Sequence, residues 1–206
     1  SSPNPMSLKP NRSTMVILVI GEFIFGLGDS LLIAAGVGNT PWTVLAEGIA
    51  DTTEVWTIGE ATFLVSVAVM FLWIPIKETP GIGTILNIII IALTIHVMVP
   101  ILPQPENPLV SILMASLGIV LVGIGSCMYL TANLGPGPRD GWMTGLQRTT
   151  GIPIGRVRIA IESSVLVIGI VLGGTFGIGT ILFAVTIGPV VASCLSIASR
   201  IDSTTG

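Results

Sequence analysis

Six long apolar segments constrain this chain more than any other feature of its sequence. They lie near residues 15–35, 58–76, 83–102, 109–132, 154–173 and 178–199. Each approaches or exceeds the ~18–20 residues that cross a bilayer as a helix. Only 9% of the residues are charged, whereas soluble domains carry roughly a quarter. These features predict an integral membrane protein with six transmembrane helices and exclude a soluble globular domain.

The positions of the basic residues predict how these helices are oriented. With six spans, all eight basic residues fall on one side of the membrane: Lys9, Arg12, Lys77, Arg139, Arg148, Arg156, Arg158 and Arg200. The loops on the other side carry acidic residues and no Lys or Arg. Because cytoplasmic loops are enriched in Lys and Arg, both termini are expected in the cytoplasm.

Two polar stretches, at residues 36–57 and 133–153, interrupt the apolar pattern. Each contains a piece that can form a helix, near 41–53 and 138–150, and each piece opens with a proline. Proline suits the first helical turn because the N–H group there has no partner within the helix. We therefore expect two short helices, and the sequence leaves open whether they are amphipathic surface helices or re-enter the bilayer.

An internal repeat relates the two halves of the chain. At a shift of 97 residues, Gly28 aligns with Gly125 and Gly38 with Gly135, among other identities. The hexapeptide GIGTIL at residues 81–86 recurs unchanged at 177–182. A nearly constant offset over both halves indicates a duplication.

This duplication predicts an inverted-topology fold. Each copy holds three spans, and because three is odd, the two copies must cross the membrane in opposite directions. The predicted fold class is thus an all-α membrane protein with two inverted three-helix repeats, each containing one short helix. The predicted divisions are an N-terminal tail (1–14), repeat 1 (15–102), a linker (103–108), repeat 2 (109–200) and a C-terminal tail (201–206).

The second half also carries a family-like motif. ANLGPGPRDGWMTGLQRTTGIPIGRVRIAIE at 132–162, followed by GIGTILFAVTIGP at 177–189, contains LGxGPxD, then GL, TG, GxxR, a span with Glu, and GIGT. This order resembles the YczE/YyaS/YitT-type bacterial membrane proteins, especially the YczE-like branch. The first half departs from it, since Thr43 stands where the second half has Asp140. The resemblance implies a multi-pass protein of the bacterial inner membrane and supplies no substrate, cofactor or catalytic residue.

Ionisable residues within the apolar segments are candidate functional residues, because burying charge in a bilayer is costly. Glu22 and Asp29 lie seven residues apart in the first segment and so share a helical face. Glu162 follows Arg158 by four residues, so the two can form an ion pair. His96 lies in the third segment. For each, a structural role in packing or pairing stands beside a role in a substrate or ion pathway.

Three arginines near the second polar stretch form a second candidate site. Arg139, Arg148 and Arg156 lie in or beside the short helix at 138–150. A helix N-terminus with an arginine beside it suits an anion or a lipid phosphate. The alternative is a solvated loop held by pairs between Asp140 and arginine.

Other chemistry is not indicated by the sequence. The single His and two Cys form no metal-ligand pattern, and no phosphate-binding loop is present. We therefore predict no enzymatic activity, no cofactor and no nucleic-acid partner, since no catalytic constellation supports a membrane enzyme acting on lipids.

Two functions fit the pattern. The first is a secondary transporter or exporter with its site between inverted repeats near the bilayer midplane. The alternative is a non-catalytic subunit of a larger membrane complex, which the low aromatic content of 5% favours because few side chains anchor the chain at the interface. The expected partners are membrane lipids and either further copies of the chain or a larger assembly.

Overall fold

The computed structural model describes residues 11–205, apart from the side chains of residues 202 and 205. Residues 1–10, with Lys9 and most of the predicted N-terminal tail, lie outside this range. The described residues contain helices and no strand. In chain order the helices are α1 (Arg12–Ala35), α2 (Pro41–Thr53), α3 (Ile58–Phe71), α4 (Trp73–Ile76), α5 (Ile82–Met98), α6 (Pro108–Ala132), α7 (Pro138–Thr150), α8 (Ile154–Val171) and α9 (Ile178–Thr205).

Four helical stretches are long and apolar enough to cross a membrane. They are α1, α3 together with α4, α6, and α9 as far as Ile201. The apolar α5 is shorter, at 17 residues, and α8 carries two arginines and a glutamate. All six predicted segments are thus helical, and an all-helical membrane protein is confirmed. Helix α9 continues through Thr205, past the predicted end of the second repeat at residue 200.

The two predicted short helices are present as α2 and α7, with the predicted bounds. Both begin with proline at the first helical position. Before α2, the Thr40 hydroxyl accepts from the Thr43 amide at 3.4 Å. After α7, Gly151 adopts a φ of 74°, a left-handed conformation that glycine tolerates and that ends the helix. Local signals therefore define both short helices.

The central pair of helices, α1 and α6, crosses in direct backbone contact. A Cβ atom at Gly28 would lie 2.5 Å from the Gly118 carbonyl oxygen, and one at Gly125 would lie 2.6 Å from the Gly21 oxygen. Glycine at these positions allows the backbones to approach this closely. Because Gly21 faces Gly125 while Gly28 faces Gly118, the two helices run antiparallel.

Contacts between the two halves recur in pairs related by the sequence repeat. The Gly179 amide donates to the Val37 oxygen at 2.8 Å, and the equivalent Gly83 amide donates to the Leu134 oxygen at 2.9 Å. In the same way, α2 packs against α8, whereas α7 packs against α3 and α4. Each short helix therefore lies against the other half of the chain.

Complementary side chains fill the interfaces of the two short helices. Val44 of α2 lies against Gly169 of α8, where an added Cβ would be 2.8 Å from a Val44 methyl carbon. At the α7 interface the small residue lies on the short helix and the large one on its neighbour: Gly141 of α7 contacts the ring of Trp73 of α4. The Trp73 indole N–H donates to the Pro138 oxygen at 2.8 Å. The two interfaces thus have equivalent positions with the large and small residues exchanged.

Candidate functional site

The N-terminal ends of α2 and α7 meet inside the protein. The guanidinium carbon of Arg139 lies 5.5 Å from the centroid of the Trp42 ring, within cation–π range. The rings of Trp42 and Trp142 pack edge to face with centroids 6.5 Å apart. Trp42 and Arg139 are 97 residues apart and so occupy the same position in the two halves. This contact therefore joins two equivalent positions.

Asp29 lies beside this contact and is 2% exposed. Its two carboxylate oxygens accept from the Thr43 hydroxyl at 2.9 and 3.1 Å. The carboxylate also interacts electrostatically with Arg139. Asp29 of α1 thus has a hydroxyl donor from α2 and a cation from α7.

Glu22, two turns before Asp29 on α1, is completely buried. Its Oε2 atom accepts from the Asn87 amide of α5 at 2.9 Å. Its Oε1 atom has no hydrogen-bond partner among the described residues. The charged group with which it interacts is Asp140, which has the same sign. Asp140 in turn accepts a hydrogen bond from the Tyr129 hydroxyl of α6.

A third part of the site lies on α8. Arg158 is 3.9 Å from the Asp140 carboxylate and 3.3 Å from the Glu162 carboxylate. The three side chains are 49%, 35% and 31% exposed, in that order. They connect the buried groups to the surface of the protein. We call the whole group the central cluster: Glu22, Asp29, Trp42, Thr43, Asn87, Tyr129, Arg139, Asp140, Arg158 and Glu162.

The remaining candidates lie apart from the central cluster. His96 is exposed, with a ring nitrogen 3.0 Å from the Thr57 hydroxyl. Arg148, at the far end of α7 from Arg139, lies 2.5 Å from Glu78 and donates to the Ile76 oxygen at 2.8 Å. Arg156 is exposed. The structure therefore separates the three arginines that the sequence grouped as an anion site.

Six members of the central cluster were not among the predicted pathway residues. Arg139 was predicted for an anion site and Asp140 as a partner of arginine, whereas four were not predicted as site residues at all: Trp42, Thr43, Asn87 and Tyr129. The repeat contained a signal for two of them. Trp42 aligns with Arg139, and Thr43 aligns with Asp140. Asn87 and Tyr129 resemble ordinary residues of apolar helices, and only packing shows their partners. Within residues 11–205, no group of three His, Cys, Asp or Glu side chains could hold a metal ion.

A separate set of hydrogen bonds ties α2 to the turn between α8 and α9. Glu47 accepts from the Thr175 amide at 2.7 Å and also from its hydroxyl. The other Glu47 oxygen accepts from the Asn39 side chain. At the opposite short helix, Arg148 of α7 contacts the turn between α4 and α5 through Glu78. Each short helix is thus attached to a turn of the other half.

Replacing Glu47 with Gln is expected to loosen the turn between α8 and α9. Gln keeps the size of the side chain but replaces a charged acceptor, and hydrogen bonds to charged groups contribute about 1.5–3 kcal/mol each. Hydrogen–deuterium exchange should rise in the peptide that contains Thr175. The matched control is Glu54→Gln at the C-terminal end of α2, which should leave exchange in that peptide unchanged. Equal exchange in both variants would contradict the Glu47 contact.

The all-helical architecture, with four helical stretches long and apolar enough to cross a membrane, defines a multi-pass membrane protein. Residues 12–196 match the model of a family described as a family of unknown function, DUF6198, and the chain belongs to this family. An uncharacterized protein of Haemophilus influenzae is 45% identical over 188 residues, which cover 91% of this chain and 86% of the relative.

Two Bacillus subtilis proteins are also similar to the chain. The uncharacterized membrane protein YczE is 34% identical over 82% of this chain and 79% of its own length. The uncharacterized protein YyaS is 28% identical over 79% of this chain and 83% of its own length. The resemblance to YczE-like proteins is thereby confirmed. No solved structure is significantly similar to the chain.

Proposed function

We propose that this chain is a small secondary transporter of the bacterial inner membrane, with the central cluster as its substrate and ion site. One observation carries the proposal: the ionisable groups lie where equivalent positions of the two halves meet. Secondary transporters with inverted repeats bind substrate at the repeat interface near the bilayer midplane. Buried charge in a membrane protein is costly, and it commonly marks a substrate or ion pathway.

The antiparallel α1 and α6 support the inverted repeat. Gly21 aligns with Gly118 and Gly28 with Gly125 at the shift of 97 residues. The contact of Gly21 with Gly125 therefore becomes the contact of Gly118 with Gly28 when the halves are exchanged. A two-fold axis through this crossing relates the first span of one repeat to the first span of the other. Six spans with both termini in the cytoplasm satisfy this symmetry and the positions of the arginines.

The same symmetry favours re-entrant short helices over surface helices. The axis that relates inverted repeats lies in the membrane plane. A contact between equivalent residues, such as Trp42 with Arg139, must lie on or near that axis. The N-terminal ends of α2 and α7 then reach the midplane from opposite sides. Broken elements of this kind direct backbone dipoles at a bound ion or substrate.

The attachments of the short helices suggest how access could alternate. Glu47 holds α2 to the turn before α9, on the side proposed to face outward. Arg148 holds α7 to the turn before α5, on the cytoplasmic side. With both attachments formed, Glu22 and Asp29 of the central cluster are buried. Release of one attachment at a time would expose the cluster to one side at a time.

The topology has a direct test by cysteine labelling. Asp51→Cys and Arg148→Cys occupy equivalent positions of the repeat, and both positions are exposed. In a background without Cys127 and Cys194, a membrane-impermeant maleimide should label position 51 in intact cells. Position 148 should react only after the cells are permeabilised. Labelling of both from one side would contradict the inverted repeat.

The transport function itself is tested with purified protein in lipid vesicles. Uptake of a panel of small organic cations and anions is measured under an imposed pH or sodium gradient, against protein-free vesicles. We expect gradient-driven uptake of at least one solute, its loss in Asp29→Asn, and its retention in Gly188→Ala. Absence of flux, together with stoichiometric comigration with a large complex on native gels, would instead support the subunit alternative.

A further inference from the structure

Glu22 is one of two carboxyl groups of the central cluster that are fully buried. Its side chain is 0% exposed and packs in the interior formed by α1, α5 and α6. One carboxyl oxygen accepts from a neutral amide, Asn87, and the other has no partner among the described residues. A carboxyl group in such a place is held by its packing and by a single hydrogen bond.

The groups around Glu22 do not compensate a negative charge. From α5 the polar neighbour is Asn87, which is neutral. From α6 it is the Tyr129 hydroxyl, which donates to Asp140 and not to Glu22. From α7 it is Asp140, which is itself acidic. Asp140 lies in the first turn of α7, where the positive end of the helix dipole favours a negative charge on Asp140. Within residues 11–205, no arginine or lysine forms an ion pair with Glu22.

An ionised carboxylate buried without a cation is costly by many kcal/mol, and such groups are instead found uncharged. Asp29, on the same helix, shows the contrast. It is equally buried, yet it has a hydroxyl donor in Thr43 and an electrostatic partner in Arg139. Of two equally buried carboxyl groups two turns apart on α1, Glu22 is therefore the one with no cation beside it among the described residues.

We propose that Glu22 is a proton-binding site and that the proton is the ion coupled to transport, which rests on the transport function proposed above. The partly exposed Asp140 lies between Glu22 and the Arg158–Glu162 pair. Ionisation of Glu22 would place two like charges together, so proton release requires a rearrangement of α7 relative to α1. This requirement links the protonation of Glu22 to the movement of a short helix.

The test is infrared difference spectroscopy of the purified protein in lipid at neutral pH. A protonated carboxyl group has a carbonyl stretch above the amide I band, and this stretch shifts to lower frequency in D₂O. We expect such a band in the wild-type protein and its loss in Glu22→Gln. The controls Glu162→Gln and Asp29→Asn should keep the band, because neither change removes the Glu22 carboxyl group.

A second measurement on the wild-type protein tests the proposal even if the Glu22→Gln variant does not fold. Wild-type protein made with glutamate labelled with ¹³C at the side-chain carboxyl should show the band at lower frequency, whereas labelled aspartate should leave it unshifted. Absence of the band in wild-type protein, its persistence in Glu22→Gln, or a shift with labelled aspartate alone would each overturn the proposal. The band reports the protonation of Glu22 in the absence of any transported solute. A failed transport assay would therefore contradict the proposed function without contradicting the protonation of Glu22.

Discussion

Gly28→Ala is expected to lower the free energy of unfolding by about 3 kcal/mol, the upper end of the usual cost of overpacking. The added Cβ would lie 2.5 Å from the Gly118 carbonyl oxygen and 2.7 Å from the Val122 amide nitrogen. Both atoms belong to the backbone of α6, which cannot turn aside as a flexible side chain can. The helices must separate, and close packing along the whole crossing is then lost.

The measurement is the midpoint of unfolding in detergent, followed by size-exclusion chromatography. Gly125→Ala should behave like Gly28→Ala, because the two positions are equivalent and its Cβ would lie 2.6 Å from the Gly21 oxygen. Gly188→Ala is the matched control, since its Cβ would meet no atom within 4 Å. In a helix interior this change is neutral or stabilising by up to ~1 kcal/mol. Equal midpoints for all three variants would contradict the direct α1–α6 contact.

Arg139→Gln is expected to lower the free energy of unfolding by about 2 kcal/mol. A contacting buried ion pair that loses one partner costs roughly 3–5 kcal/mol. The cost here is smaller because Arg139 is only half-buried and forms no direct ion pair with Asp29 within the described residues. The lost stability has two parts: the cation–π contact of Arg139 with Trp42 and the electrostatic interaction of Arg139 with the buried Asp29.

A double-mutant cycle separates these two contributions. Asp29→Asn removes the carboxyl group that interacts with Arg139, so Arg139→Gln in that background should cost only the part that involves Trp42. The difference between the two costs is the coupling of Asp29 with Arg139. Arg148→Gln is the control, since Arg148 is 56% exposed and its pair with Glu78 should contribute at most about 1 kcal/mol. Strict additivity would show that Asp29 and Arg139 act independently.

The sequence predicted those parts of the fold that depend on local signals. The bounds of α2 and α7 follow from a proline at one end and from polar composition, both of which are visible in the chain. The apolar segments follow from the requirement that backbone groups in a bilayer bond within a helix. The repeat aligned Gly28 with Gly125 in sequence, but it did not show their contacts, which are Gly28 with Gly118 and Gly125 with Gly21.

The composition of the site was less predictable than its existence. Glu22, Asp29, Arg158 and Glu162 stand out because charge is rare in apolar segments. Asn87 and Tyr129 do not stand out, since neutral polar residues occur throughout membrane helices and acquire a role only from a neighbour. His96 stands out equally well in the sequence, yet it lies at an exposed position beside Thr57. Rarity identifies candidates, but it does not show which of them lie together.

The amino-acid sequence alone was enough to predict a helical membrane protein, the bounds of α2 and α7, and which charges lie inside apolar segments. It did not predict the break between α3 and α4 or the ends of α5 and α9. Tertiary packing placed a hydroxyl donor and a cation near Asp29, whereas Glu22 has one neutral amide donor and no ion pair among the described residues. This division arises because helix formation depends on neighbours along the chain, within about one turn. The environment of a buried carboxyl group depends on residues far away in sequence: Glu22 meets Asn87 across 65 positions, and Asp29 meets Thr43 across 14.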